Sequence, residues 1–60
     1  MTAEEIKDLR QRFGWTQERF AHELGVSVMT VSRWELGKRK PIQSLQRALD
    51  LLAEYIGDAK

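Results

Sequence analysis

The chain has 60 residues, a net charge of +1 and no cysteine, which excludes disulfide staples and zinc sites built on thiolates. It contains no apolar run near the roughly 18 residues that cross a bilayer, and no basic N-terminal region precedes an apolar stretch, so a membrane span or a secretion signal is not expected. These limits predict one small domain, residues 1–60, made of packed helices in a reducing cytoplasm.

The first predicted helix covers Ala3–Phe13 and ends at Gly14. Thr2 can cap it, and Glu5 completes the pattern of a capping box. Its apolar stripe consists of Ile6, Leu9 and Phe13. Arg10 lies on the same stripe, where a charged group either extends to solvent or meets a buried partner.

The second predicted helix covers Gln17–Leu24, with Thr16 as its N-cap. Its inner face consists of Phe20, Ala21 and Leu24. Gln17 lies in the first turn, where donors can meet a phosphate, or it is an ordinary exposed polar residue. Trp15, just before the helix, is expected to pack into the core, and His22 is placed on the outer face without a role.

Only Gly25–Ser27 separate this helix from the third predicted helix, residues 28–36. Ser27 is a favourable N-cap, and Gly37 stands where a left-handed C-terminal cap is needed. So short a joint favours the tight turn of a helix-turn-helix, in which the two helices cross steeply. Val31 and Trp34 are three positions apart and can both point into the core.

The outward face of the third helix carries Val28, Met29, Ser32 and Arg33. Apolar and guanidinium groups together suit the major groove of DNA, where thymine offers a methyl group and guanine offers two acceptors. We therefore expect this helix to read double-stranded DNA and the other helices to hold it in place.

A basic loop, residues 37–41, leads into the fourth predicted helix, which begins between Ile42 and Ser44. Its core stripe consists of Leu45, Ala48, Leu49 and Leu52. A second apolar side carries Leu51, Tyr55 and Ile56. This side either forms the contact of a homodimer or lets its last two residues fold back onto the core. From Gly57 onward we expect the chain to fray.

The charges are distributed unevenly in spite of the small net charge. Residues 33–47 hold five basic side chains against Glu35 alone, whereas residues 48–60 hold Asp50, Glu54 and Asp58 against Lys60. A local basic patch matters more than the net charge for attracting a polyanion. The same charges also fit an ordinary solvated surface.

No catalytic arrangement can be recognised in the sequence. There is one histidine, no cysteine and no glycine-rich phosphate loop, and no nucleophile stands at a readable spacing from a base. We therefore expect neither an enzyme nor a bound cofactor or metal.

Two stretches, Thr16–Ser27 and Thr30–Pro41, resemble the helix-turn-helix family of the phage lambda repressor and Cro type, the XRE-like family. The resemblance lies in the combination of Thr-Gln, Phe-Ala, Leu-Gly-Val-Ser, Trp-Glu, Gly-Lys and a later Pro, and it covers almost the whole chain. It implies an all-α, compact bundle of four to five helices that binds operator DNA as a dimer. The implied function is sequence-specific regulation of transcription, most simply repression.

The resemblance also implies roles for individual residues. Gln17 matches a glutamine that contacts a phosphate and supports the reading helix, and residues 38–40 match a loop that holds the phosphates. Arg10 and Glu35 match a pair that the family often forms across the bundle. The candidate DNA-binding residues are Gln17, Ser27, Val28, Met29, Thr30, Ser32, Arg33, Lys38, Arg39 and Lys40.

The chain departs from the better-known members of the family at its reading face. They often carry glutamine or another polar residue where Val28 and Met29 stand here. These two side chains can contact thymine methyl groups but cannot hydrogen-bond a base, so direct readout would rest mainly on Arg33, with Thr30 and Ser32 as further candidates.

Two alternative functions stay open at this point. One is an antitoxin or mobile-element DNA-binding protein that also binds a protein partner through the second apolar side of the fourth helix. The other is a helical protein-interaction domain that uses Val28 and Met29 as its contact patch and does not bind DNA. Measuring binding at increasing salt concentration distinguishes the DNA-binding functions from the protein-interaction domain, because DNA binding weakens with salt and an apolar contact does not.

Overall fold

Four α-helices form the regular structure in the computed structural model, which describes residues 1–58. They are α1 at Ala3–Phe13, α2 at Gln17–Leu24, α3 at Val28–Glu35 and α4 at Gln43–Asp58. Residues 1–58 contain no β-strand, and the predicted all-α fold is confirmed. The bounds of α1 and α2 agree with the predicted ones at both ends.

Hydroxyl side chains begin the first three helices. At α1, Thr2 Oγ1 accepts from the Glu5 amide at 3.1 Å, and Glu5 Oε1 accepts from the Thr2 amide at 2.8 Å. This backbone hydrogen bond lowers the pKa of the Glu5 carboxyl. Thr16 and Ser27 cap α2 and α3 by accepting from backbone amides three residues on, at 3.1 and 3.2 Å. The helix starts are therefore determined locally, by residues next to them in the chain.

Glycine ends α2 at the joint with α3. Gly25 has φ of 72°, its amide donates to the His22 carbonyl at 3.2 Å, and the Val26 amide donates to the Ala21 carbonyl at 3.0 Å. This pair of hydrogen bonds is a Schellman motif, which needs a left-handed residue that glycine adopts without a steric penalty. Gly37, with φ of 75°, ends α3 in the same way.

The core lies where the inner sides of the four helices meet. Its buried side chains include Ile6, Leu9, Phe20, Ala21, Val31, Trp34 and Leu49. Each large apolar side chain in this group contributes about 1.5–3 kcal/mol by its burial. Partly buried side chains surround the group, among them Phe13, Trp15, Leu24, Leu45 and Leu52. α3 thus has the predicted inner side, anchored by Val31 and Trp34.

The structure differs from the sequence-based predictions at two helix ends. Leu36, predicted as the last residue of the third helix, is its C-cap, because the glycine that follows it closes the helix one residue earlier. Gly57, predicted to fray, belongs to α4, which continues through Asp58 because Ile56 packs against the core and holds the last turn. Residues 59 and 60 of the predicted frayed end lie outside the described residues.

Candidate nucleic-acid interface

α2, the joint Gly25–Ser27 and α3 form a helix-turn-helix. α3 packs against both α1 and α2, whereas α4 packs against α1. Ala21, on the buried side of α2, is 3% exposed, and its small side chain lets α2 and α3 approach closely. This packing leaves the side of α3 opposite Val31 and Trp34 facing outward.

The outward side of α3 is apolar at its start and cationic at its end. Val28 is 42% exposed and Met29 is 60% exposed, and Arg33 is exposed as well. Thr30 and Ser32 are half-buried. The Thr30 hydroxyl lies 2.9 Å from the exposed Ser27 hydroxyl, so the two form one hydrogen bond beside the cap and one of them keeps its own hydrogen.

Arg33 and Met29 contact each other one helical turn apart. Arg33 Nη2 lies 3.5 Å from Met29 Sδ, at the i, i+4 spacing that brings side chains together on a helix surface. Sulfur is a weak acceptor, so this contact orients the guanidinium along α3 and leaves its other donors free for a ligand. The sequence spacing could have indicated this pair, but it was not predicted.

A polar network joins α1, α2 and α3. Arg10 Nε donates to Glu35 Oε2 at 2.7 Å, and Arg10 Nη2 donates to Glu35 Oε1 at 3.1 Å. Arg10 Nη1 donates to the Trp15 carbonyl at 2.9 Å. The two charged side chains are 13% and 5% exposed, and the hydrogen bond to Glu35 raises the pKa of Arg10. Arg10 therefore meets a buried partner and does not extend to solvent.

Gln17 belongs to the same network. Its Nε2 donates to Glu35 Oε1 at 3.2 Å, which ties the start of α2 to the end of α3. The amide nitrogen carries a second hydrogen, and the residue is half-buried. Among the hydrogen bonds of residues 1–58, the one that Gln17 Nε2 donates ends on Glu35.

The basic side chains fall into two groups. On α1 and α2, Arg12 pairs with Asp8 and Arg19 pairs with Glu23, each at 2.8 Å. Among the side chains that the structure describes, no ion pair is formed by Arg33, Lys38, Arg39 and Lys40, nor by Lys7 and Arg47. Uncompensated positive charge is therefore concentrated on the end of α3 and on the loop that follows it.

Two exposed apolar residues border this loop. Leu36 and Ile42 are each 66% exposed and stand on either side of residues 37–41. Sequence reasoning gave them no role, since an isolated apolar residue beside a loop carries no pattern.

An aromatic cluster joins the end of α1 to α4. The Phe13 ring stacks on Trp15 and on Tyr55, with centroids 4.5 and 6.4 Å apart, and the Arg19 guanidinium lies 5.4 Å from the Trp15 ring centroid. Of the second apolar side of α4, Ile56 folds back against the core. Leu51 and Tyr55 stay exposed, at 60% and 68%.

No helix within residues 1–58 is both long enough and apolar enough to cross a membrane. Within the same residues, the His, Asp and Glu side chains form no cluster of three or more that could hold a metal ion.

Comparison with protein families gave one match that covers most of the chain. A family model described as helix-turn-helix, of the XRE-like Cro/C1 type, matches residues 6–57. The matched range includes all of α2 and α3 and the basic loop. Comparison with curated proteins found no match, and comparison with solved structures found none.

Proposed function

We propose that this chain, which belongs to the helix-turn-helix family of XRE-like DNA-binding regulators, is a sequence-specific transcriptional repressor. The observation that carries the proposal is the two-sided character of α3. Val31 and Trp34 anchor its inner side, while Val28, Met29 and Arg33 are exposed on its outer side. A helix presented in this way fits the major groove, which is about 12 Å wide.

The proposed contacts divide into base readout and phosphate binding. Arg33 reads a guanine, and Val28 and Met29 contact thymine methyl groups. The unpaired basic loop and the free amide hydrogen of Gln17 bind phosphates, which positions the helix but carries no sequence information. The proposed DNA-binding residues are Gln17, Ser27, Val28, Met29, Thr30, Ser32, Arg33, Lys38, Arg39 and Lys40.

The proposal includes a homodimer in which residues 1–60 form one domain of each copy. One module of this size binds weakly alone, and linking two of them raises the overall affinity without new contacts. The two reading helices would enter successive major grooves about 34 Å apart. Leu51 and Tyr55 are the proposed dimer contacts because both are exposed, with Ile56 behind them against the core.

The test is a binding selection from a random duplex library at moderate salt, followed by sizing of the complex. We expect one enriched sequence, two chains per duplex and an affinity that falls steeply as salt rises. Arg12→Ala is the matched control for basic variants, because Arg12 already pairs with Asp8. A selection in which no sequence is enriched over the starting library would contradict the proposal.

A second candidate is an antitoxin or mobile-element protein that binds DNA and also a protein partner. The exposure of Leu51 and Tyr55 favours it, since these residues would serve a partner as well as a second copy. The homodimer would be favoured if the chain alone is dimeric without DNA and if Leu51→Ser makes it monomeric. A non-DNA interaction domain would instead bind its partner as tightly or more tightly at high salt.

A further inference from the structure

We infer that Met29 and Arg33 together recognise a pyrimidine C5-methyl group beside a guanine, so that the site reads thymine and 5-methylcytosine through the same contact. This inference rests on the proposed function and names the class of DNA that the reading face selects. It makes cytosine methylation next to the contacted guanine a signal that the protein detects.

The two side chains are in contact, so together they can reach neighbouring bases but not distant ones. Arg33 Nη2 and Met29 Sδ are 3.5 Å apart, and successive bases on one strand are about 3.4 Å apart. When the guanidinium binds the O6 and N7 acceptors of a guanine, the thioether beside it reaches the adjacent base. The pair therefore addresses a two-base step and not two separate positions.

The chemistry of Met29 restricts what it can recognise there. Its side chain has no donor, and its one weak acceptor, the sulfur, already faces the Arg33 guanidinium. Thymine and cytosine differ in the major groove by an O4 acceptor against an N4 donor and by the methyl group. A side chain that neither donates nor has a free acceptor detects the methyl group alone.

The apolar neighbour of Met29 adds no hydrogen bond to the base that Met29 contacts. Val28, the other exposed apolar residue of α3, has no polar side-chain atom, and the hydroxyls of Ser27, Thr30 and Ser32 belong to other contacts of the proposed function. Met29 is 60% exposed, so a base methyl group can reach it without any rearrangement of the core.

The experiment starts from the enriched duplex of the binding selection. Each pyrimidine next to a guanine is replaced in turn so that four duplexes result, with thymine, uracil, 5-methylcytosine or cytosine at that position. The comparisons are thymine with uracil and 5-methylcytosine with cytosine, because each pair keeps the opposite base and differs by one methyl group. We expect one position at which the methyl group tightens binding about fourfold in both pairs, the value of one buried carbon.

Variants of Met29 assign the effect to this side chain. Met29→Leu keeps an apolar contact and should keep the methyl preference in both pairs. Met29→Ala should lose the methyl preference. Met29→Gln should lose it too, but should bind the thymine and uracil duplexes with a different affinity from the two cytosine duplexes, because an amide hydrogen-bonds to base edges. The helical circular dichroism of each variant checks that the fold is intact.

The possible failures can be told apart. No enriched duplex would contradict the proposed function itself. An enriched duplex in which no pyrimidine beside a guanine shows a methyl effect would overturn the inference and leave the proposed function standing. A methyl effect that survives in Met29→Ala, or that appears for thymine but not for 5-methylcytosine, would also overturn it.

Discussion

Among the described residues, Glu35 accepts the most hydrogen bonds between helices. Two hydrogen bonds from Arg10 and one from Gln17 end on its carboxylate, and its side chain is 5% exposed. The pair joins residues 25 positions apart, so nothing in the spacing of residues within one helix could identify it. Periodicity placed Arg10 on a core stripe without indicating its partner, and the family resemblance pointed to Glu35, which the packing of α1 against α3 brings to Arg10.

Replacing Glu35 with Ala should lower the free energy of unfolding by roughly 3 kcal/mol, because the Arg10 guanidinium loses its counterion in a buried position. Urea unfolding measures the change. The matched control is Glu23→Ala, which breaks the exposed pair with Arg19 and should cost less than about 1 kcal/mol. Equal losses in the two variants would contradict a special role for the buried pair.

Replacing Arg33 with Ala should weaken binding to the enriched duplex by about 1–3 kcal/mol and relax the preference at one guanine, because the bidentate contact is lost. Titration against duplexes that carry each base at that position measures both effects. Arg12→Ala removes the same charge from an ion-paired site and should leave the preference intact. An unaltered base preference in Arg33→Ala would contradict a role of Arg33 in base recognition.

At the scale of the elements, cap residues explain why so much of the helical structure could be predicted. Thr2, Thr16 and Ser27 satisfy free amides, and glycines at positive φ end the helices, so the bounds depend on neighbours in the chain. The inclusion of Gly57 in α4 has no such local signal. It goes with the contact of Ile56 with the core, which belongs to tertiary packing and cannot be recognised in the local sequence.

Two glycines allow the role of backbone conformation to be measured separately from steric space. A Cβ atom would meet nothing within 4 Å at Gly25 or at Gly57, but only Gly25 has a positive φ. Gly25→Ala should therefore lower the free energy of unfolding by about 1–2 kcal/mol, whereas Gly57→Ala should leave it unchanged or raise it by up to about 1 kcal/mol. Thermal melts compare them, and a shift of the same sign in both would refute this explanation.

At the scale of the whole molecule, the arrangement of charges matters more than their sum. The net charge of +1 conceals an uneven arrangement: arginines on α1 and α2 are ion-paired, whereas the basic residues on α3 and the following loop, together with Lys7 and Arg47, form no ion pair among the described residues. The sequence locates the basic segment but does not distinguish it from an ordinary solvated surface. The ion pairs at Arg12 and Arg19 show where positive charge is already compensated, and binding measurements must decide what the unpaired charges do.

Replacing Lys40 with Ala should lower the affinity for all duplexes by a similar factor and reduce the slope of log affinity against log salt by about 1, because one phosphate contact is lost. Binding isotherms at several salt concentrations provide both numbers. Arg12→Ala serves again as the control. A loss confined to one sequence would show that Lys40 reads a base and does not bind the backbone.

The proposed reading helix, α3, has only 8 residues, while isolated helices shorter than about 12–15 residues hardly persist in water. A synthetic peptide of residues 27–38 should thus be mostly unfolded in solution, even with both of its capping residues present. It should fail to compete with the intact chain for DNA, because it would have to spend binding energy on ordering its own backbone. The smallest fragment that keeps recognition must include α1 and α2, which makes recognition a property of the folded unit and not transferable as a short tag.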